Sequence, residues 1–155
     1  MDMYLLACLL FVIAPLSTLI HELGHVSGAF SVRADFIHLS VGIGRQSRII
    51  TFKNLQIILH PVYFLSGFTR SGRKDPYSKS EAVRIAVMGP LFNGATALFI
   101  FIINEFVPSS FLQLFFWFNI WMTIGNMVPF RIGGKETDGF AIIKAVRIHR
   151  QNSAK

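Results

Sequence analysis

His21-Glu22-Leu23-Gly24-His25 sets two imidazoles four residues apart with a carboxylate beside the first. On an α-helix, residues four apart lie about 40° from each other around the axis and so share a face. Both imidazoles then reach one tetrahedral zinc ion, and the intervening glutamate points toward the water that such an ion carries. The chemistry implied is metal-assisted hydrolysis with Glu22 as general base. The plainer alternative is two buried histidines and a glutamate used in helix packing. That alternative is costly here, because residues 3–20 carry no charge and the apolar pattern runs on through the motif to Phe30. Three ionisable groups in such a segment are expensive unless they work together.

A third protein ligand is needed, with a fourth position left for water. The chain has one cysteine, Cys8, which excludes a cysteine-based site and any internal disulfide. The pattern with a third histidine six residues after the second fails, because Ser31 stands there. The next glutamate is Glu81, with no supporting pattern around it. Asp138, followed by Gly139 and preceded by Asn126-Met127-Val128-Pro129, is the better third ligand, with Glu136 as the fallback. His38, His60 and His149 lack ligand spacing and read as structural or surface residues.

The elements that must hold these residues are those of a membrane protein. Of 155 residues 52% are hydrophobic and only 15% charged, with sixteen Phe, where a soluble domain carries nearer 25% charged residues. Three stretches approach the roughly 20 apolar residues that a bilayer requires: about 3–30, 82–103 and 111–130. Leu5-Leu6-Ala7-Cys8 superficially fits a lipoprotein cleavage box. No Lys or Arg precedes it and the apolar run continues past it, so the segment is expected to stay as a span. The net charge of +7 does not point to nucleic acid, since the cations flank apolar runs instead of forming one stripe. Arg33, Arg45, Arg48, Lys53, Arg70, Arg73, Lys74 and Lys79 lie between the first two spans. Arg131, Lys135, Lys144, Arg147, Arg150 and Lys155 follow the third. The positive-inside rule then puts the N-terminus outside and the C-terminus in the cytoplasm. It also brings His21 and His25, Gly89-Pro90 with Asn93, and Asn126 to Asp138 to one membrane depth.

The middle segment, about 34–70, is β-rich. Phe36–Val41, Ile49–Phe52, Leu55–Leu59 and Val62–Leu65 read as strands punctuated by Gly42, Gly44, Pro61 and Gly67. Ser71 to Pro76 reads as an exposed turn. From Asp138 to Gln151 the spacing is helical, with Phe140, Ile143, Val146 and Ile142 toward one face and Lys144, Arg147 and Arg150 elsewhere. Such a helix can lie along the headgroups. The expected fold is a membrane protein, mainly α: three transmembrane helices, a small membrane-associated β-sheet between the first and second, and a C-terminal amphipathic helix, in a single domain over 1–155.

HExxH in the first span, Gly89-Pro90-x-x-Asn93 in the second, and Asn126-x-x-Pro129 with Asp138-Gly139 after the third together resemble the site-2 protease family of intramembrane zinc metalloproteases. The likeness covers about residues 5–145, as a minimal three-span core. It implies that His21, His25 and Asp138 bind Zn2+, that Glu22 is catalytic, and that Asn93 and Asn126 bind substrate or the oxyanion. The family's Asn-to-Asp spacing is usually shorter; here Arg131–Lys135 extends it. The implied activity is hydrolysis of peptide bonds in a membrane-embedded or membrane-associated protein or peptide. The competing reading is a non-proteolytic membrane metal-binding or scaffold protein, in which an intact Glu22 would have no task.

Overall fold

The computed structural model describes residues 2–45, 48–132 and 134–152. Gly133 and Lys155, and the side chains of His149 and Arg150, lie outside the described set. Helix α1 is Met3–Ser31, α2 is Lys79–Phe106, α3 is Ser110–Met127 and α4 is Asp138–Asn152. Strands β1 (Phe36–Ile43), β2 (Arg48–Phe52), β3 (Leu55–Leu59) and β4 (Val62–Gly72) lie between α1 and α2. The pairs β5 (Arg131–Ile132) and β6 (Lys135–Glu136) form a short hairpin between α3 and α4. The chain is thus mainly helical with a small sheet.

Among the described residues two helices, α1 and α2, are long and apolar enough to cross a membrane. Helix α1 widens into a π turn at Leu9–Ile13, just before Pro15. Proline has no N–H to give the carbonyl four residues back, that of Phe11. The Tyr63 hydroxyl donates to that carbonyl at 3.4 Å. Helix α2 starts on a capping box, with Ser78 Oγ accepting from Glu81 N–H and the Glu81 carboxylate accepting from Ser78 N–H. The same carboxylate takes a two-pronged grip from Arg73, which also donates to the Val32 carbonyl at 2.8 Å. One arginine therefore ties the end of α1, the end of the sheet and the start of α2 together. Helix α3 ends at Met127, three residues short of the expected span, because Pro129 drives Val128 to an extended ψ of 124°.

The sheet order is β2-β3-β1-β4, with β1 parallel to β3 and antiparallel to β4. Alternate residues of β1, Ile37 and Leu39, are buried against Val26, Ala29 and Ala34, so the sheet seats on the last turns of α1. The four strands fall on the four expected runs. The last is longer: Ser71 and Gly72 pair with Ile37 and Phe36, so the expected turn at 71–76 starts only at Arg73. On α4, Ile142 and Val146 are half-buried as the spacing predicts, but Ile143 is exposed alongside Lys144 and Arg147.

Glycines set the crossing of α1 and α2. A Cβ on Gly24 would run into the Met88 carbonyl, and one on Gly28 would lie 2.9 Å from Ile85 Cα. Small residues at such a contact let two backbones meet. Gly24→Val should therefore lower stability by about 3 kcal/mol, the upper part of the overpacking range, because backbone cannot swing aside. Gly94→Ala, whose Cβ would meet only Thr123 at 3.7 Å, should leave stability unchanged or slightly raised. Thermal unfolding of the two variants in detergent micelles checks the pair, and equal melting temperatures would contradict the crossing described.

Candidate metal centre

The helix puts His21 and His25 one turn apart, and the site is built where α1 crosses α2. The two Nε2 atoms face each other 3.1 Å apart, with the rings nearly perpendicular at 86°. Gly89 is the floor: a Cβ there would lie 2.5 Å from the His25 ring and 2.9 Å from His21 Cε1. The Gly of the Gly-Pro pair is thus required by the imidazoles packed on it.

Asp138, the first residue of α4, completes the cluster. Its Oδ2 lies 3.0 Å from His21 Nε2 and its Oδ1 lies 3.2 Å from His25 Nε2. Two local features place it. The Thr137 hydroxyl accepts from Phe140 N–H and donates to the Val128 carbonyl, knotting the helix start to the end of α3. Gly139 lies against the Met127 carbonyl so closely that no side chain fits. The Asp-Gly pair therefore supplies both the carboxylate and the contact that docks it.

Both imidazoles are oriented from behind. His21 Nδ1 donates to Asn93 Oδ1 at 2.7 Å, and His25 Nδ1 donates to the Ile85 carbonyl at 2.8 Å. These partners are acceptors, so in each neutral ring the hydrogen sits on Nδ1 and Nε2 is bare. Two bare nitrogens and a carboxylate then converge on one point. Asp138 Oδ2 is sealed from solvent without a hydrogen-bond partner. The three donor atoms lie within 4.8 Å of one another. Tetrahedral zinc with bonds of about 2.05 Å sets its donors roughly 3.3 Å apart, close to the separations here. The donor set, the tautomers and the spacing all fit zinc, and His–acceptor pairs of this kind are how ligating imidazoles are held.

Glu22 is 8% exposed and sits against β4, where a Cβ on Gly67 would come within 2.8 Å of Glu22 Cγ. The Thr69 hydroxyl donates to the Glu22 carbonyl at 3.3 Å. A cavity of about 730 Å³ opens from His21, Glu22, His25 and Asp138 between β4 and the β5–β6 segment. Asn126 stands on its wall, with its amide nitrogen donating to the Met122 carbonyl of its own helix. Asn93 stands elsewhere: it is fully buried behind His21, with both amide hydrogens directed away from the cavity, to the Ser17 carbonyl and Asn119 Oδ1. Glu136 lines the cavity, but its carboxylate is held by Lys144 at 3.1 Å and Arg131 at 3.8 Å. Between the two acidic candidates for a third ligand, the geometry brings Asp138 to the histidines. Glu81 is occupied by Arg73. Sequence reasoning missed Asn119 and Ser17; a polar amide in the middle of a Phe- and Trp-rich helix was the available signal.

Residues 7–109 match Peptidase family M50. The chain belongs to this family. No curated protein matches the chain. The M50 match takes in the HExxH motif, the whole sheet and the Gly89–Asn93 motif, and it bears out the likeness to site-2 proteases. It stops short of α3, so Asp138 joins the centre on geometry.

Asp138→Ala should lower zinc affinity by more than about 100-fold, beyond the loss typical of a supporting residue. Glu136→Gln should leave it within about threefold on the same scale. Zinc content after dialysis against a competing chelator distinguishes them. Retention of zinc by Asp138→Ala together with loss by Glu136→Gln would reverse the assignment.

Proposed function

We propose that this chain is a zinc-dependent intramembrane endopeptidase that hydrolyses peptide bonds of a membrane-embedded or membrane-associated protein or peptide. The observation that carries the reading is the convergence of His21, His25 and Asp138 beside Glu22 at a cavity, in a member of a peptidase family. Bound by those three residues, zinc supplies Lewis-acid polarisation of a carbonyl and acidifies water toward neutrality. Glu22 takes the proton of the attacking water and returns it to the departing amine. Asn126 lines the cavity that holds the centre and is the candidate for substrate contact. Asn93 orients His21.

Strand β4 supports an extended substrate. Strand β1 takes one edge of β4, and Gly67–Thr69 line the cavity beside Glu22. A peptide added to the other edge would present its backbone to the centre without helical hydrogen bonds in the way. Helix α3 is read as a third span. Its 18 residues rise about 27 Å against a hydrocarbon core of about 30 Å. Its exposed Trp117, Trp121 and Ile124 suit lipid. Exposed Ile143 among Lys144 and Arg147 suits a helix at the headgroups, and the cation distribution favours an outside N-terminus and a cytoplasmic C-terminus. Residues 1–155 then act as one catalytic domain.

Glu22→Gln should retain zinc and lose cleavage by about 10²- to 10⁴-fold, the usual contribution of a general base. The membrane peptide content of cells producing wild type or Glu22→Gln, compared by mass spectrometry, reads the loss. Chelation should reproduce it and added zinc should reverse it. An unchanged peptide profile with zinc bound in both proteins would overturn the peptidase reading in favour of a non-proteolytic metal-binding or scaffold protein.

A further inference from the structure

A buried polar chain behind the metal centre crosses all three long helices. His21 donates to Asn93 Oδ1, and the Asn93 amide nitrogen donates to the Ser17 carbonyl at 3.0 Å and to Asn119 Oδ1 at 2.8 Å. Asn119 in turn donates to the Ser17 hydroxyl at 3.0 Å and to the Phe115 carbonyl at 2.9 Å. Ser17, Asn93 and Asn119 are each 0% exposed.

A carboxamide is nearly symmetric in shape, so half a turn exchanges its oxygen and nitrogen at little steric cost. Such a turn of Asn93 would aim an N–H at His21 Nδ1. The imidazole would then carry its hydrogen on Nε2, the atom facing His25 and Asp138, and would no longer offer it to a metal. The orientation of Asn93 therefore decides whether His21 is a ligand. Two acceptors hold it: the Ser17 carbonyl, which is backbone, and Asn119 Oδ1, which is a side-chain choice. Asn119 is itself fixed, because both its amide hydrogens are directed to acceptors and its oxygen is left for Asn93.

We propose that Asn119 on α3 is a positioning residue for His21, holding the Asn93 amide in the orientation that keeps His21 Nε2 bare for the metal. The proposal rests on the zinc-peptidase reading. It makes the third helix part of the metal site without contributing a ligand. A residue that served packing alone would affect stability and not the metal.

Two substitutions separate the roles. In an apolar interior an aspartate at 119 stays protonated. Its carbonyl then accepts from Asn93, and its hydroxyl replaces one amide donor. Asn119→Asp thus keeps the lock, whereas Asn119→Leu removes it, and each loses some stability. The measurement is zinc affinity of the purified full chain in detergent, by competition with a chromophoric chelator, beside a melting curve. Asn119→Leu should weaken zinc by about tenfold, the lower end of the loss seen for supporting partners, and Asn119→Asp by no more than about threefold. If Asn119→Leu does not fold, Asn119→Ala carries the same expectation. Equal weakening by Asp and Leu, or wild-type affinity in Asn119→Leu, overturns the proposal while the zinc-peptidase reading stands. Failure of the wild type to bind zinc overturns both.

Discussion

Three electron-rich groups held 3.0–3.2 Å from one another, two of them imidazoles whose Nδ1 faces an acceptor, repel in an apolar surround unless positive charge lies between them. His21 and His25 offer bare nitrogens because their hydrogens are committed to Asn93 and Ile85, and Asp138 adds a carboxylate. Helix packing brings them together, and a divalent cation at the shared point would turn the repulsion into attraction. Metal binding would then be coupled to folding: part of what holds the donors ready is supplied by the fold, and an ion would return it on binding. The rest of the structure follows as the means of bringing those groups to one place.

The means are mostly backbone contacts. In lipid there is no hydrophobic force between helices, so packing and hydrogen bonds must hold them. Gly24 and Gly28 let α1 approach α2 at Met88 and Ile85, and Gly89 lets the imidazoles lie on α2 itself. A larger residue at any of the three would push the histidines off Asn93 and Ile85 as well as apart from α2. The polar chain through Ser17, Asn93 and Asn119 adds direction to that closeness, since it works only in one register of the three helices.

The centre was largely legible in the sequence because its spacing is local. His21, Glu22 and His25 sit within one turn and a half, where helical periodicity alone places them. Asp138 was legible as the better third ligand, but Glu136, two residues away on a link of unknown path, stayed as a fallback until its carboxylate was seen to be held by Lys144 and Arg131. The family motif suggested substrate or oxyanion binding for Asn93, and residue type alone allowed an inter-helix hydrogen bond equally well; the amide in fact bonds Ser17 and Asn119. The strands were found as β-type runs punctuated by Gly and Pro, yet the parallel pairing of β1 with β3 and the seating of Gly67 on Glu22 depend on contacts far apart in sequence. The end of α3 was placed late because its apolar run continues to Phe130, whereas the backbone obeys Pro129.

The long link between Asn126 and Asp138 shows which constraints at this site are strict. Arg131–Ile132 pairs with Lys135–Glu136 as a hairpin of its own, with Gly134 in the left-handed region at φ 83°, and the extra length lies beside the cavity. Lengthening a loop is inexpensive, about 0.6 kcal/mol for each doubling. Misplacing the carboxylate would be far more costly, because it would leave two bare nitrogens opposed with no third donor. The elements that prevent this lie at the ends of the link: Thr137 knotted to Val128 on one side, and Gly139 pressed on Met127 on the other. With those ends held, the path between them is free to vary, and Asp138 reaches the histidines however long the route.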